Sequence, residues 1–297
     1  MLRPLHLALF PLTLLCAQNI VVDTTLVVVP VTVTDPQNRF VLGLEKKDFS
    51  IFEDGAEQKI THFSGEDAPI SVGVLIDTSG SMDLKMETSR RAVSEFLKTM
   101  DAQDEAFVIQ FSDKAEVVQP FTPNVKDIDA RMGSLKAGGL TALLDAVELG
   151  IREMKKAKNP RKALVVVSDG GDNNSRYTAT DIQDIVKEAD TQIYAMGVFE
   201  PNFFPAMAKE QVSGPRLLAQ IADQTGGRAF GASEFSQLPA IAEKIAIELR
   251  NQYVLAYSPT NKERDGKYRK VEVKMRAQKG LPALKARWRL GYYAATD

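Results

Sequence analysis

Residues 70–81 read ISVGVLIDTSGS, an apolar run that leads into a short polar turn. A continuous apolar run, without the alternation of a half-exposed strand, is typical of a strand covered by helices on both faces of its sheet. Residues 163–167, ALVVV, form a second run of this kind. Helical patterns of apolar residues lie between and after the two, and strand and helix alternate from about residue 69 to residue 250. The sequence therefore predicts an α/β fold with a doubly wound, mostly parallel sheet over residues 68–250.

Both ends of the chain follow a different pattern, in which apolar and polar residues alternate. The alternating apolar positions include Val27, Val29, Val31 and Val33 near the start and Val271, Val273 and Met275 near the end. Alternation indicates half-buried strands, and the Asp54-Gly55 turn predicts a hairpin of Phe49–Glu53 with Gln58–Phe63. Each end supplies only about three or four strands, too few for an independent two-layer core. We therefore expect residues 18–67 and 251–297 to form one small β-sandwich that carries the α/β domain as an insertion.

Oxygen-bearing side chains follow the predicted strands of the α/β region. Asp77, Ser79 and Ser81 come directly after the first apolar run, and Asp169 comes after the second. Because parallel neighbours end at the same edge of a sheet, these residues should lie close together. Thr141 follows Gly138-Gly139-Leu140 before a helical pattern, and we expect it at the N-cap. Several hydroxyls with few carboxylates suit Mg²⁺, or Mn²⁺, better than zinc.

Two further aspartates lie near these residues. Asp83 and Asp172 are close enough in sequence to serve a second ion. We interpret Asp83 instead as a helix-start carboxylate and Asp172 as a solvated loop carboxylate, which are the commoner roles of aspartates at such positions.

The motif and its flanks resemble a known family. Residues from about 69 to 250 resemble a von Willebrand factor A domain, a Rossmann-like fold, and the five oxygen-bearing residues fall on that family's metal-ion-dependent adhesion site. The resemblance implies that Ser79, Ser81 and often Thr141 contact the metal directly, and that Asp77 and Asp169 contribute directly or through water. It also implies that an Asp or Glu of a protein partner fills the open coordination position. The flanks LVVVPVTVTD (26–35), YVLAYSPT (253–260) and GYYA (291–294) resemble von Willebrand A related proteins exported by acidobacteria and similar bacteria.

Enzymatic alternatives fit the residues less well. Asp77 after an apolar strand also resembles aspartate-nucleophile phosphatases, but those place a second aspartate where Ser79 stands. Gly138-Gly139 and Gly170-Gly171 lack the following Lys-Ser or Lys-Thr of a phosphate-binding loop. His62 lies ahead of the motif in the β region, so no serine triad can be assembled. We expect a non-enzymatic, metal-dependent protein-binding module, with a metal-dependent phosphatase or hydrolase as the alternative and a purely structural envelope protein ranked third.

The net charge bears on the class of partner, and the N-terminal residues bear on the location of the protein. Lys and Arg total 37 against 39 Asp and Glu, a net charge of -2, which argues against nucleic acid as a partner. We interpret Lys285, Arg287 and Arg289 as the solvated face of a strand. Residues 1–17, MLRPLHLALFPLTLLCA, have the cation, apolar core and small final residue of a secretory signal peptide. A secreted or periplasmic protein without a stable membrane span is expected.

Two features of the sequence leave alternatives open. Cys16 is the only cysteine and could be a lipidated first residue, although the bulky Leu14 and Leu15 make a lipid anchor the less favoured interpretation. Phe203 and Phe204 lie in a segment that follows the apolar strand Ile193–Val198. They could form an apolar contact beside the metal or pack onto the domain as a local core.

Overall fold

The computed structural model describes residues 26–65, 68–198, 214–276 and 283–296. In chain order the strands are β1 (Val27–Thr34), β2 (Phe49–Glu53), β3 (Ala56–Gln58), β4 (Ile60–Ser64), β5 (Ile70–Asp77), β6 (Glu105–Phe111), β7 (Ala115–Thr122), β8 (Arg161–Val167), β9 (Gln192–Val198), β10 (Ala229–Ala232), β11 (Gln252–Tyr257), β12 (Tyr268–Met275), β13 (Lys285–Trp288) and β14 (Gly291–Tyr293). The α-helices are α1 (Met86–Leu97), α2 (Val125–Ser134), α3 (Leu143–Met154), α4 (Ala179–Glu188), α5 (Gly214–Thr225) and α6 (Leu238–Arg250). The predicted signal peptide and the Phe203 and Phe204 segment lie outside the described residues.

A six-stranded sheet forms the centre of the α/β region, in the order β10-β9-β8-β5-β6-β7. All neighbours are parallel except β6 and β7. Every residue of β5 is buried, because α1 and α6 contribute to the core on one face of the sheet while α3, α4 and α5 contribute to the core on the other. Strands buried on both faces favour continuous apolar sequences. The predicted α/β class with a mostly parallel sheet is confirmed.

Two antiparallel four-stranded sheets make up the smaller β-sandwich. Their orders are β13-β1-β11-β4 and β14-β12-β2-β3, so both sheets combine strands from the two ends of the chain. The alternating residues of β1 point into a shared core with Ile51, Leu255 and Tyr257, all fully buried. Neither end could bury this face alone, because β11 and β13, the strands that pair with β1 in the described part of the chain, both come from the C-terminal end. The predicted sandwich built from both chain ends is confirmed.

The predicted hairpin is correct in its turn and wrong in its second strand. Asp54 and Gly55 both have positive φ, 48° and 85°, as a two-residue type I′ turn requires, and β2 pairs with β3. The segment does not continue as one strand to Phe63. It breaks at Lys59, and β4 pairs with β11 in the opposite sheet. Gln58 and Ile60 are both buried. Burial of residues two positions apart is also expected within one continuous strand, so the sequence pattern could not show that the chain passes from one sheet to the other between them.

The sandwich packs against the edge of the α/β domain opposite to Asp77. Asp190 precedes the start of β9, and its carboxylate lies 2.9 Å from the guanidinium of Arg289. Arg287 lies 2.6 Å from Asp223, and Leu290 N–H donates to the carbonyl of Gln224 at 3.1 Å. The prediction that these arginines lie on a solvated face is therefore wrong. Arg289 is only 8% exposed, and both side chains join the two domains, whereas Lys285 is exposed.

Among the residues that the structure describes, no helix combines the length and the apolarity that a bilayer crossing requires.

Candidate metal centre

The first loop of the site follows β5 and is organised by Asp77. This side chain is fully buried; its Oδ1 accepts from Ser79 N–H at 2.9 Å and its Oδ2 from Ser168 Oγ at 2.6 Å. Burial raises the pKa of Asp77, the hydrogen bonds of Ser168 and Ser79 oppose this, and the charge of Asp169 adds to the rise. Ser79 Oγ lies 3.1 Å from Ser81 Oγ, and Ser81 is exposed while Ser79 is buried. The loop thus presents two adjacent hydroxyls above a buried carboxylate.

The second loop is held against the first by two backbone hydrogen bonds. Gly138 N–H donates to Thr78 O at 2.8 Å, and Gly80 N–H donates to Gly139 O at 3.0 Å. Gly139 has a φ of 83°, and a Cβ on this residue would stand 2.8 Å from the carboxylate of Asp113. Glycine is required there by the backbone conformation and by the close approach. This turn delivers Thr141 to the site.

The third loop follows β8 and carries Asp169. Asp169 Oδ1 and Thr141 Oγ1 each lie 3.9 Å from the position that a Cβ would take on Gly171, so both oxygens lie beside this glycine. Asp169 Oδ2 accepts from Lys85 Nζ at 2.6 Å. Burial raises the pKa of Asp169, but the hydrogen bonds from Lys85 and Ser81 and the charge of Lys85 outweigh burial and hold it below its usual value. The three loops that carry the five predicted residues therefore lie side by side at the carboxyl edge of the sheet.

Thr141 lies just outside the helix that it was expected to cap. α3 begins at Leu143 with Ala142 at the N-cap, and Ala142 contributes no side-chain hydrogen bond. Asp172 Oδ1 accepts from Leu143 N–H at 2.9 Å, and Ser175 Oγ accepts from Leu144 N–H at 3.0 Å. The N-cap prediction for Thr141 is wrong. Asp172 is an exposed loop residue, as predicted, and its carboxylate also caps the helix. Since other residues cap the helix, the Thr141 hydroxyl remains available to the site.

The backbone of Thr141 is fixed by the same third loop. Thr141 N–H donates to Asn173 Oδ1 at 2.8 Å, and its carbonyl accepts from the N–H groups of Asn173 and Asn174, both at 3.0 Å. Thr141 is only 5% exposed. A hydroxyl carried on so constrained a backbone needs little reordering to bind a ligand.

The sequence analysis missed two residues of the site. Ser168 is 2% exposed and bridges two loops, because it donates to Asp77 and accepts from Gly170 N–H at 2.9 Å. A small polar residue between an apolar strand and an aspartate was a usable signal for this role. Lys85 ends the short 3₁₀ helix Gly80–Lys85, and nothing in its sequence spacing pointed to Asp169.

The donor set fits a hard divalent cation. The five residues offer two carboxylates and three hydroxyls, all of them oxygen donors. Asp77 and Asp169 each keep unused lone pairs after the hydrogen bonds described above, since a carboxylate has about four acceptor positions. Such a set matches Mg²⁺ or Mn²⁺, which bind few protein carboxylates and complete their coordination with water.

Comparison with known proteins agrees with this fold. Residues 72–171 match the family model described as von Willebrand factor type A domain, a stretch that includes Asp77, Thr141 and Asp169. This part of the chain is a von Willebrand factor type A domain. The solved von Willebrand factor type A structure from Catenulispora acidiphila shares the fold, with a TM-score of 0.52 and 14% identity over 84% of this chain and 73% of that chain.

Two relatives align with different fractions of this chain. An uncharacterized protein of Borreliella burgdorferi is 20% identical over 228 residues, 66% of each protein. The mouse (Mus musculus) protein inter alpha-trypsin inhibitor, heavy chain 4, is 30% identical over 153 residues, which is 46% of this chain but 16% of the mouse protein. The chain thus spans just under two thirds of the first relative and a small part of the second.

Proposed function

We infer that the protein is an exported, non-enzymatic adhesion or scaffolding module. In this proposal Asp77, Ser79, Ser81, Thr141 and Asp169 bind Mg²⁺ or Mn²⁺, and the bound cation holds an Asp or Glu side chain of a protein partner. Export to the periplasm or the exterior is proposed from residues 1–17, and the resemblance of the flanks to exported von Willebrand A related proteins of acidobacterial type supports it.

The observation that carries the proposal is the meeting of three loops whose hydroxyls outnumber their carboxylates. The hydroxyl oxygens of Ser79 and Ser81 lie 3.1 Å apart, and backbone hydrogen bonds hold the loop of Thr141 against the other two loops. A divalent cation held mainly by neutral oxygens keeps much of its charge, so an incoming carboxylate is strongly attracted. Ser81 is exposed, which leaves this side of the site open to a partner.

The surroundings of Asp77 support binding rather than phosphoryl transfer. A carboxylate that attacks a phosphate ester must reach the ester, but Asp77 is fully buried and receives hydrogen bonds on both oxygens. Ser79 occupies the position where phosphatases place their acid, and serine does not protonate a leaving group near neutral pH. The geometry of Asp77 suits a residue that holds a loop and a cation in place.

The test measures thermal stability with Mg²⁺, with Mn²⁺ and with EDTA. A cation that binds only the native state adds about 2.7 kcal/mol of stability at a hundredfold excess over its Kd. Ser79→Ala and Thr141→Val should lose this gain because each removes one oxygen ligand. Ser134→Ala is the matched control, since Ser134 is exposed at the end of α2 and bonds only to the nearby Arg131 carbonyl.

Two results would count against the proposal. A wild-type melting temperature that neither cation nor EDTA changes would contradict the metal site. Metal-dependent turnover of p-nitrophenyl phosphate that disappears in Asp77→Ala would favour the phosphatase instead.

A further inference from the structure

One positively charged side chain lies directly against the candidate metal centre. Lys85 Nζ is 2.6 Å from Asp169 Oδ2, and the side chains of Lys85 and Asp169 are only 20% and 16% exposed. The same ammonium lies 5.3 Å from the centre of the Phe235 ring. An ion pair so shielded from water, with an aromatic face nearby, holds its geometry better than a surface pair.

The carboxylate of Asp169 is therefore shared between two directions. Oδ2 accepts from Lys85 Nζ, whereas Oδ1 lies beside Gly171, as Thr141 Oγ1 does. A cation beside Oδ1 and the ammonium beside Oδ2 would be neighbours across a single carboxylate. Two positive charges held on the two oxygens of one carboxylate repel each other appreciably in a partly buried site.

The charge balance of the site follows from this arrangement. Asp77 and Asp169 bring two negative charges and Lys85 one positive charge. The nearby Asp113 and Asp172 accept from the backbone N–H groups of Leu140 and Leu143 and are present with or without Lys85. Counting Asp77, Asp169 and Lys85 alone, a divalent cation leaves one excess positive charge, and without Lys85 these charges would cancel, so Lys85 makes the centre one unit more positive.

Resting on the function inferred above, we propose that Lys85 tunes the metal centre. Lys85 weakens the hold on the cation by competing for Asp169, and it leaves the excess positive charge that attracts the partner's carboxylate. Part of the free energy that holds the cation then comes from the partner's carboxylate instead of from the protein's own residues. The site binds its cation most tightly when the partner supplies the missing negative charge, which couples the two binding events.

The surroundings of Lys85 allow it to loosen its bond to Asp169 when a cation binds. Lys85 and Asp169 line a small pocket together with Ser89, one helical turn further along α1. Ser89 Oγ is buried and has no hydrogen-bond partner among the residues that the structure describes. This hydroxyl offers the ammonium another acceptor within the same pocket, so a weaker bond to Asp169 does not leave Lys85 without a polar neighbour.

The experiment measures Mg²⁺ affinity by isothermal titration calorimetry of the full chain. Lys85→Met removes the charge and keeps the apolar stem, and it should bind Mg²⁺ about five- to tenfold more tightly than the wild type. Lys85→Arg keeps the charge and should stay near the wild type. Lys98→Met is the matched control, because Lys98 lies just after the same helix in an exposed pair with Glu95. Lys85→Gln replaces Lys85→Met if circular dichroism shows that the methionine variant is unfolded.

A second arm uses acetate as the carboxylate probe. Each protein is titrated with Mg²⁺ in acetate buffer and in chloride buffer of equal ionic strength. Acetate that completes the coordination shell should raise the apparent Mg²⁺ affinity of the wild type, and should raise it less in Lys85→Met, which lacks the excess positive charge.

The outcomes separate this inference from the proposed function. If the wild type binds Mg²⁺ and folded Lys85→Met binds it equally well or more weakly, Lys85 only anchors the loop and the tuning role is overturned. If neither protein binds Mg²⁺, the proposed function itself fails, and the tuning role with it. If only Lys85→Met binds Mg²⁺, Lys85 controls the site more strongly than expected, which supports the inference.

Discussion

Gly139→Ala should destabilise the protein and damage the candidate metal centre together. Gly139 has a φ of 83°, and an added Cβ would stand 2.8 Å from the carboxylate of Asp113. A left-handed conformation costs a non-glycine residue about 1–2 kcal/mol. Moving the Asp113 carboxylate would also break its 2.8 Å bond to Leu140 N–H, at a cost of about 1 kcal/mol. The expected loss is about 2–3 kcal/mol, and Mg²⁺ binding should weaken because Thr141 is carried on the same turn.

The assay compares thermal and urea unfolding of Gly139→Ala and Gly133→Ala. Gly133 lies in α2 with no atom within 4 Å of an added Cβ and without a positive φ, so alanine should leave stability unchanged or raise it by up to about 1 kcal/mol. For a domain of this size, 2–3 kcal/mol lowers Tm by about 4–12 °C. Asp113→Ala breaks the same bond to Leu140 N–H, so it should cost less on the Gly139→Ala background than on wild type. A Gly139→Ala protein that melts within about a degree of wild type would contradict this prediction.

Two further predictions concern the domains and the pH dependence. Residues 68–250 expressed alone should fold and respond to Mg²⁺, whereas residues 19–66 should not fold, because the strands that pair with β1 among the described residues come from the other end of the chain. A 19–66 fragment that melts cooperatively would contradict this. Burial raises the pKa of Asp145, but hydrogen bonds from Arg176 and Tyr177 outweigh burial and hold it below its usual value. Its stabilising effect is therefore complete above an unfolded-state pKa of about 3.9 and is lost as the pH falls through the lower native pKa. Asp145→Asn should be less stable than wild type by about 1 kcal/mol at pH 7, and denaturant unfolding should show the difference shrinking below about pH 4, whereas a constant difference would argue against the role of the charge.

The fold class could be predicted because it depends on local patterns. β5 is buried on both faces, and its sequence is a continuous apolar run for that reason. The strands of the sandwich have one buried face, and their sequences alternate. The type I′ turn at Asp54-Gly55 was predictable as well, because the two residues accept positive φ more readily than others.

The placing of Asp77 and Asp169 at one edge of the sheet could also be anticipated, since parallel strands end at the same edge. The sequence could not show which side-chain oxygens already accept hydrogen bonds. Thr141 directly precedes α3 and Asp172 follows β8, 29 positions from Leu143, yet Asp172 caps the helix and Thr141 does not. Capping depends on where a loop from a distant segment comes to lie, and one sequence carries no direct record of that placement.

The types of element, the burial of both faces of the central sheet and the oxygen donors of the candidate site follow from the sequence alone. They depend on the period of apolar residues and on the side-chain atoms that each residue carries. The contact of Lys85 with Asp169, the pairing of β4 in the opposite sheet and the contact of Arg289 with Asp190 arise when the chain folds. Each of these contacts joins residues far apart in the chain, and its partner is selected by packing and charge in three dimensions, so no local spacing in the sequence can specify it.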